Sequence, residues 1–230
     1  MSKPVLLVAE KVRKDYPTPE GPLSVLKGID FSLSEGEMAF IVGRSGSGKS
    51  TLLHLLGGLD RVSEGRIFFK GTDLSQMNER ELALYRNRKI GFIFQFFHLL
   101  PELTLFENVL LPSRMAGSSD PERVRELIHR VGLRGREEHF PSELSGGEQQ
   151  RAAIARALVN QPEVVFCDEP TGNLDDETAQ MVFGLLREVH RESGLAFMIV
   201  THDERLANQF EAVYRLHEGI LTQEKSQHGT

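Results

Sequence analysis

Cysteine is almost missing from this chain. Cys167 is the one example in 230 residues, so no disulfide can close within it and a reducing, cytosolic setting is expected. Long apolar runs are missing too: Leu195 to Val200 is among the longest, far short of the roughly 18 residues that cross a bilayer, and reads as a core strand. The start, Met1-Ser2-Lys3-Pro4-Val5, lacks the apolar stretch of a secretory leader. Charge of one sign never accumulates. The 27 basic and 33 acidic residues give a net charge of −6 without a basic block, which disfavours nucleic acid as a partner. His54, His98, His129, His139, His190, His217 and His228 do not cluster at ligand spacing, so no structural zinc site is expected. Cys167 reads as a small buried strand residue with no redox task.

What the chain does contain is glycine at meaningful spacing. Gly43-Arg44-Ser45-Gly46-Ser47-Gly48-Lys49-Ser50 follows an apolar segment, Met38 to Val42, that reads as a buried parallel strand. A helix is predicted over 49–59. Strand, glycine-rich loop and helix in that order form a cradle for phosphate: the glycines turn N–H groups inward and the helix adds its positive end. Lys49 then supplies charge to the outer phosphates of a nucleotide, and the Ser50 hydroxyl suits Mg²⁺.

Further strands are expected at Val5–Val8 and Ile29–Leu33, separated by the turn-rich 17–22, and at 65–71 and 90–95. From 103 to about 140 the periodicity becomes helical, with Asp120-Pro121-Glu122 marking a helix start that runs through Val124, Leu127, Ile128 and Val131. Helices over 147–159 and 178–192 alternate with strands at 164–167 and 197–200. The fold class is therefore α/β with a mainly parallel sheet, an N-terminal β layer and an inserted helical segment. One domain is expected: core and β layer from 1–94 and 141–223, a helical subdomain from 95–140, and a polar tail at 224–230.

Two more segments carry chemistry. Val164 to Cys167 ends in Asp168-Glu169, which sets two carboxylates at the C-terminal edge of a buried strand, where open α/β sheets place ligands. Asp168 is placed to orient Mg²⁺ and its waters, and Glu169 to polarise an attacking water. In Leu144-Ser145-Gly146-Gly147-Glu148-Gln149-Gln150-Arg151, Ser145 and Glu148 form a capping box. The two glycines ahead of that helix start also make a second anion site, beyond what one set of phosphates needs within one chain.

The phosphate loop, Gln95, the Leu-Ser-Gly-Gly-Glu run, Asp168-Glu169 and His202 occur in the order seen in ATP-binding cassette ATPases, and the resemblance covers essentially the whole chain. It implies a P-loop NTPase fold, ATP and Mg²⁺ as cofactors, and a homodimer in which two cassettes meet head to tail. The loop through Thr51 would hold ATP, with Ser50, Gln95 and Asp168 toward the metal and Lys49, Gln95, Glu169 and His202 toward hydrolysis. Ser145, Gly146, Gly147 and Glu148 of one copy would close on the γ-phosphate held by the other. Gly172-Asn173-Leu174-Asp175 matches a dimer-contact loop, and Tyr16 resembles the aromatic that stacks on adenine, with surface packing in a long, proline-rich loop up to Val25 as the alternative.

Phe94, Phe96, Phe97, Leu99, Leu100 and Pro101 form an apolar cluster that reads either as the insert's own small core or as a groove for a partner. The family receives a segment of a separate transmembrane permease there, which implies a peripheral position on the cytoplasmic face of the inner membrane. The runs 53–60, 96–101 and 107–112 resemble the branch of lipoprotein-releasing and macrolide-exporting ATPases. A cell-division regulator and a soluble cassette without transport remain the alternatives.

Overall fold

In a computed structural model residues 3–224 are described; most of the expected polar tail lies outside them. The chain divides into two compact units, one formed by residues up to Ala83 with those from Ala196 onward, the other by Leu84–Leu195.

The first unit opens with two long antiparallel strands, β1 (Val5–Thr18) and β2 (Gly21–Ser34), joined by a two-residue turn. This corrects the expected loop over 17–22. Pro17 faces Pro22 and Thr18 faces Gly21 across the ladder, so the prolines sit at the hairpin's end, where a missing N–H costs least. Along β2 the burial alternates: Ile29, Phe31 and Leu33 point inward, Asp30 and Ser32 outward. With β4 (Glu64–Phe69) and the short β5 (Thr72–Asp73), these strands make a four-stranded antiparallel layer in the order β2-β1-β4-β5.

The same unit contains β3 (Met38–Val42), which pairs in parallel with β8 (Ala196–Thr201) on one side and β9 (Ala212–His217) on the other; β10 (Ile220–Gln223) runs antiparallel to β9. Every residue of β3 and β8 is buried, because both faces of these strands are covered. Rings tie the layers together: Phe40 lies 4.4 Å from Phe210 and Phe31 meets Tyr214 edge-on at 5.0 Å. Helix α1 (Lys49–Leu56) stops three residues short of its expected end, because Gly57 caps it.

In the second unit, β6 (Ile90–Phe94) and β7 (Val164–Asp168) pair in parallel; helix α2 (Glu79–Lys89), which begins in the first unit, leads into β6. Helix α3 (Leu105–Met115) starts on a Thr104–Glu107 capping box and continues through Pro112. Helix α4 (Pro121–Arg130) starts on Asp120 with Pro121 in its first turn, as the sequence predicts. Val124, Leu127, Ile128 and Val131 are all buried. Cys167 is fully buried, and burial pushes its thiol pKa up, as befits an unreactive packing residue. Among the described residues no helix is long and apolar enough to cross a membrane, and no group of three or more His, Cys, Asp or Glu side chains forms a metal cluster.

Helices α5 (Gly146–Leu158) and α6 (Asp176–Ser193) complete the unit. At the start of α5 the Glu148 carboxylate accepts from the Ser145 N–H at 2.9 Å and from its hydroxyl at 2.8 Å, and these bonds hold its pKa below the usual carboxylate range. A depressed carboxylate stabilises the fold above the unfolded pKa, and that contribution is lost as pH falls through the folded one. Ser145→Ala is expected to cost about 1 kcal/mol as a lost cap and to move the Glu148 midpoint, followed by carbon-detected NMR titration, up toward the free glutamate value of about 4.3. An unmoved midpoint would mean that the hydroxyl does not set this carboxylate.

Candidate nucleotide site

The strand–loop–helix reading holds in the first unit: the chain leaves β3 at Val42, turns through Gly43–Gly48 and enters α1 at Lys49. Gly48 caps the helix with φ 101°, a left-handed conformation, and a Cβ there would lie 3.0 Å from Leu26 and 3.1 Å from Val25. No side chain caps the helix start, so its N–H groups are left to the loop and whatever the loop holds. Lys49 is buried, and its Nζ donates to the Gly43 carbonyl at 2.9 Å and the Arg44 carbonyl at 3.2 Å. Ser47 Oγ is buried without a hydrogen-bond partner. A buried lysine, an orphaned hydroxyl and a helix start without a side-chain cap fit a bound polyanion. Arg44, Ser45, Gly46 and Ser50 are exposed and Thr51 is half-buried.

His202 belongs to the same edge. Val42 pairs with Thr201, so the chain leaves β3 and β8 side by side, one into the phosphate loop and one into exposed His202. Tyr16 sits on β1, not in a loop. Its hydroxyl donates to Asp60 Oδ2 at 2.8 Å, and Lys14 Nζ, 4.7 Å from the ring centroid, bonds Asp60 Oδ1 and the Arg61 carbonyl at 2.7 Å each. Burial, then the Asp60 carboxylate, raises the Tyr16 pKa. For Asp60 itself, burial is outweighed by hydrogen bonds from Lys14, Tyr16 and the Arg61 N–H, so its pKa is lowered. Lys14 and Asp60 were not legible as site-shaping residues, since 46 positions separate them.

In the second unit, Phe94 pairs with Asp168 in the last register position of β6 and β7, which delivers Gln95 and Glu169 to one strand edge. Glu169 has φ 46°, a left-handed backbone that a residue with a Cβ adopts at a cost of about 1 kcal/mol or more. The following turn is closed by the Gly172 N–H to the Glu169 carbonyl at 3.0 Å. Gly172 leaves room for the Gln95 carboxamide in this position: a Cβ there would lie 2.9 Å from Gln95 Nε2 and make that side chain shift. Gln95 and Asn173 exchange bonds, Nε2 donating to Asn173 Oδ1 at 2.9 Å and Asn173 Nδ2 to the Gln95 carbonyl at 3.1 Å. This pairing had no signal in the sequence, because each residue alone reads as an exposed polar group.

The Ser145 end of α5 adjoins the same loop, as a Cβ on Gly146 would lie 3.6 Å from Leu174 and 3.7 Å from Phe97. Arg136 Nε reaches Glu148 Oε1 at 3.2 Å. Asp175 is exposed at the start of α6, where its carboxylate accepts from the Thr178 N–H at 3.0 Å; hydrogen bonding from the Thr178 side chain, and then from that N–H, holds its pKa low. Within the second unit, therefore, Gln95, Asp168, Glu169, the 172–175 loop and Ser145 gather at one edge; Lys49, Ser50, Tyr16 and His202 lie in the first.

The apolar cluster divides. Phe94 stacks with Phe92 at 5.6 Å and meets His98 edge-on at 5.1 Å, whereas Phe96 is 67% exposed and Leu100 44%. Arg156 donates to the carbonyls of Phe97 and His98 and so fixes the turn that carries them. An open groove of about 270 Å³, lined by Phe92, Phe94, His98, Pro112, Arg156 and Asn160 among others, lies beside it.

A family model described as ABC transporter matches residues 26–172. The lipoprotein-releasing system ATP-binding protein LolD of Idiomarina loihiensis is 50% identical over 223 residues, 96% of this chain and 98% of that protein. The LolD of Pseudomonas syringae pv. tomato is 51% identical over 228 residues, 97% and 100% of the two chains. A dimeric post-hydrolysis structure of the ATP-binding cassette MJ0796, bound to ADP and Pi, superposes with a TM-score of 0.89 at 36% identity, covering 97% of this chain and all of that one. The phosphate loop, the acidic strand end and the capped glycine-rich helix thus stand in a known order, and the chain belongs to the ABC transporter family as an ATP-binding cassette ATPase.

Proposed function

We propose that two copies of this chain form the ATP-hydrolysing pair of a lipoprotein-releasing transporter, docked on the cytoplasmic face of the inner membrane against a separate permease subunit. Near full-length relatives at 47–51% identity carry the name LolD, and the solved cassette MJ0796 is a dimer. The observation that carries the reading is Glu169, held in a left-handed backbone where β7 ends, at the strand edge to which the Phe94–Asp168 pairing also brings Gln95. In this reading residues 95–140 act as the helical subdomain and 1–94 with 141–223 as the ATP-holding core.

Lys49 neutralises the outer phosphates, and the loop from Gly43 to Thr51 wraps them with backbone N–H groups. Tyr16, anchored through Asp60, offers its ring to adenine. Ser50, Asp168 and Gln95 present hydroxyl, carboxylate and carboxamide oxygens, the hard donor set that suits Mg²⁺. Mg²⁺, when bound, supplies neutralisation of charge on the phosphate oxygens. Glu169 accepts a proton from the attacking water, and His202 donates toward the γ-phosphate. Ser145, Gly146, Gly147 and Glu148 of one copy close on the γ-phosphate held by the other, with Asp175 in the contact. ATP that touches both copies favours the closed pair over the open one by that differential affinity, and hydrolysis removes it.

Two outcomes test the reading. Glu169→Gln is expected to bind ATP like the parent protein while hydrolysis falls about 10²- to 10⁴-fold, the range of a general base; turnover at the parent rate removes Glu169 from that role. Phe96→Asp, an exposed change beside the groove, is expected to abolish capture of the permease from detergent extracts while ATP binding stays intact. Undiminished capture places the membrane contact elsewhere.

A further inference from the structure

Gln150, in the second turn of α5, is a fully buried polar side chain. Both N–H groups of its amide are used: Nε2 donates to the Pro170 carbonyl at 2.5 Å and to the Phe94 carbonyl at 3.3 Å. One of these carbonyls opens the peptide unit that leads into Gln95. The other closes the residue that follows Glu169. The side-chain oxygen Oε1, by contrast, is buried with no hydrogen-bond partner. A half-satisfied carboxamide disfavours folding relative to an apolar side chain of the same shape, so packing alone gives no reason for glutamine here. The two donated bonds give one.

The geometry points to Gln150 as a positioning residue for hydrolysis: one amide nitrogen fixes the peptide planes beside Gln95 and Glu169 and ties both to the helix that begins at Ser145. The inference rests on the roles proposed above for Gln95 and Glu169. Three elements converge on one nitrogen, namely the end of β6, the turn after β7 and α5, all within the second unit. Glu169 needs such restraint, because its left-handed backbone relaxes unless its surroundings hold it. The Gln95–Asn173 exchange locks side chain to loop; Gln150 locks the backbones beneath them. Through it, a displacement of the Ser145 end of α5 reaches both residues without any contact of Gln150 with substrate.

Gln150→Met keeps the length and apolar bulk of the side chain and donates nothing. The expected result is unchanged ATP affinity and a cooperative melting transition at a somewhat lower temperature, since two carbonyls lose their donor, with kcat lowered about tenfold or more, as loss of alignment predicts. Amide hydrogen exchange in the nucleotide-free protein is expected to quicken at residues 95–97 and 171–174 and to stay unchanged across α5. Gln150→Glu gives a second readout. As a carboxylate it faces two carbonyl oxygens and donates nothing; protonated, it restores one bond, so its kcat relative to the parent protein rises as pH falls. Parent-like kcat and exchange in Gln150→Met, or a Gln150→Glu profile parallel to the parent's, overturns the inference. Failure of both variants to fold overturns it as well, since Gln150 is then a packing residue. Glu169→Gln measured alongside separates the two layers: parent-like hydrolysis there sinks the site reading itself, whereas an inactive Glu169→Gln beside a normal Gln150→Met sinks only this inference.

Discussion

Burial of both faces of the parallel strands is the constraint on which everything else depends. β3, β7 and β8 are apolar along almost their whole length because no face of them meets water. Polar chemistry is then confined to the points where these strands end. Val42 gives way to the phosphate loop and Thr201 to His202 in the first unit, and Cys167 to Asp168 and Glu169 in the second, so three short stretches of chain carry most of the candidate residues. The helices that follow or flank these ends add their positive N-termini at no further structural cost.

The second unit shows how exposed polar residues become fixed at such an edge. Gln95 and Asn173 satisfy each other, Gly172 makes room for Gln95, and the turn from Glu169 closes on itself. Bonds of this kind between neutral groups contribute about 1 kcal/mol each, too little to create the site but enough to select one arrangement of it. Glu148, pinned by Ser145 and Arg136, does the same for the first turn of α5.

Local patterns made much of this legible. The Gly-rich loop, the Asp120-Pro121 and Ser145–Glu148 starts, and the apolar strands ending in acids each have a signature within about eight residues, and the elements lie where those signatures place them. The β1–β2 hairpin departs from the expected loop because Pro17, Pro19 and Pro22 signal a loop locally, while pairing along two fourteen-residue strands decides the outcome. Helix α2 has little signature: its buried face is narrow, with Leu82 and Tyr85 its buried apolar residues in a run that is mostly charged. β10 gains its identity from the local hairpin with β9, while β9 mixes polar and apolar positions and gains its own from β3, far away in sequence. Gln150 was hidden for the same reason, as its role lies in contacts 56 and 20 positions away.

One chain offers two helix starts suited to phosphate, α1 with its lysine and α5 with its glycines, and the proposed sharing of a triphosphate between two copies would use both. Sedimentation of the Glu169→Gln protein across a concentration series, with and without saturating MgATP, tests that sharing most directly. The account predicts a monomer without nucleotide and a dimer with it. A protein that binds MgATP stoichiometrically yet sediments as a monomer at every concentration would contradict it.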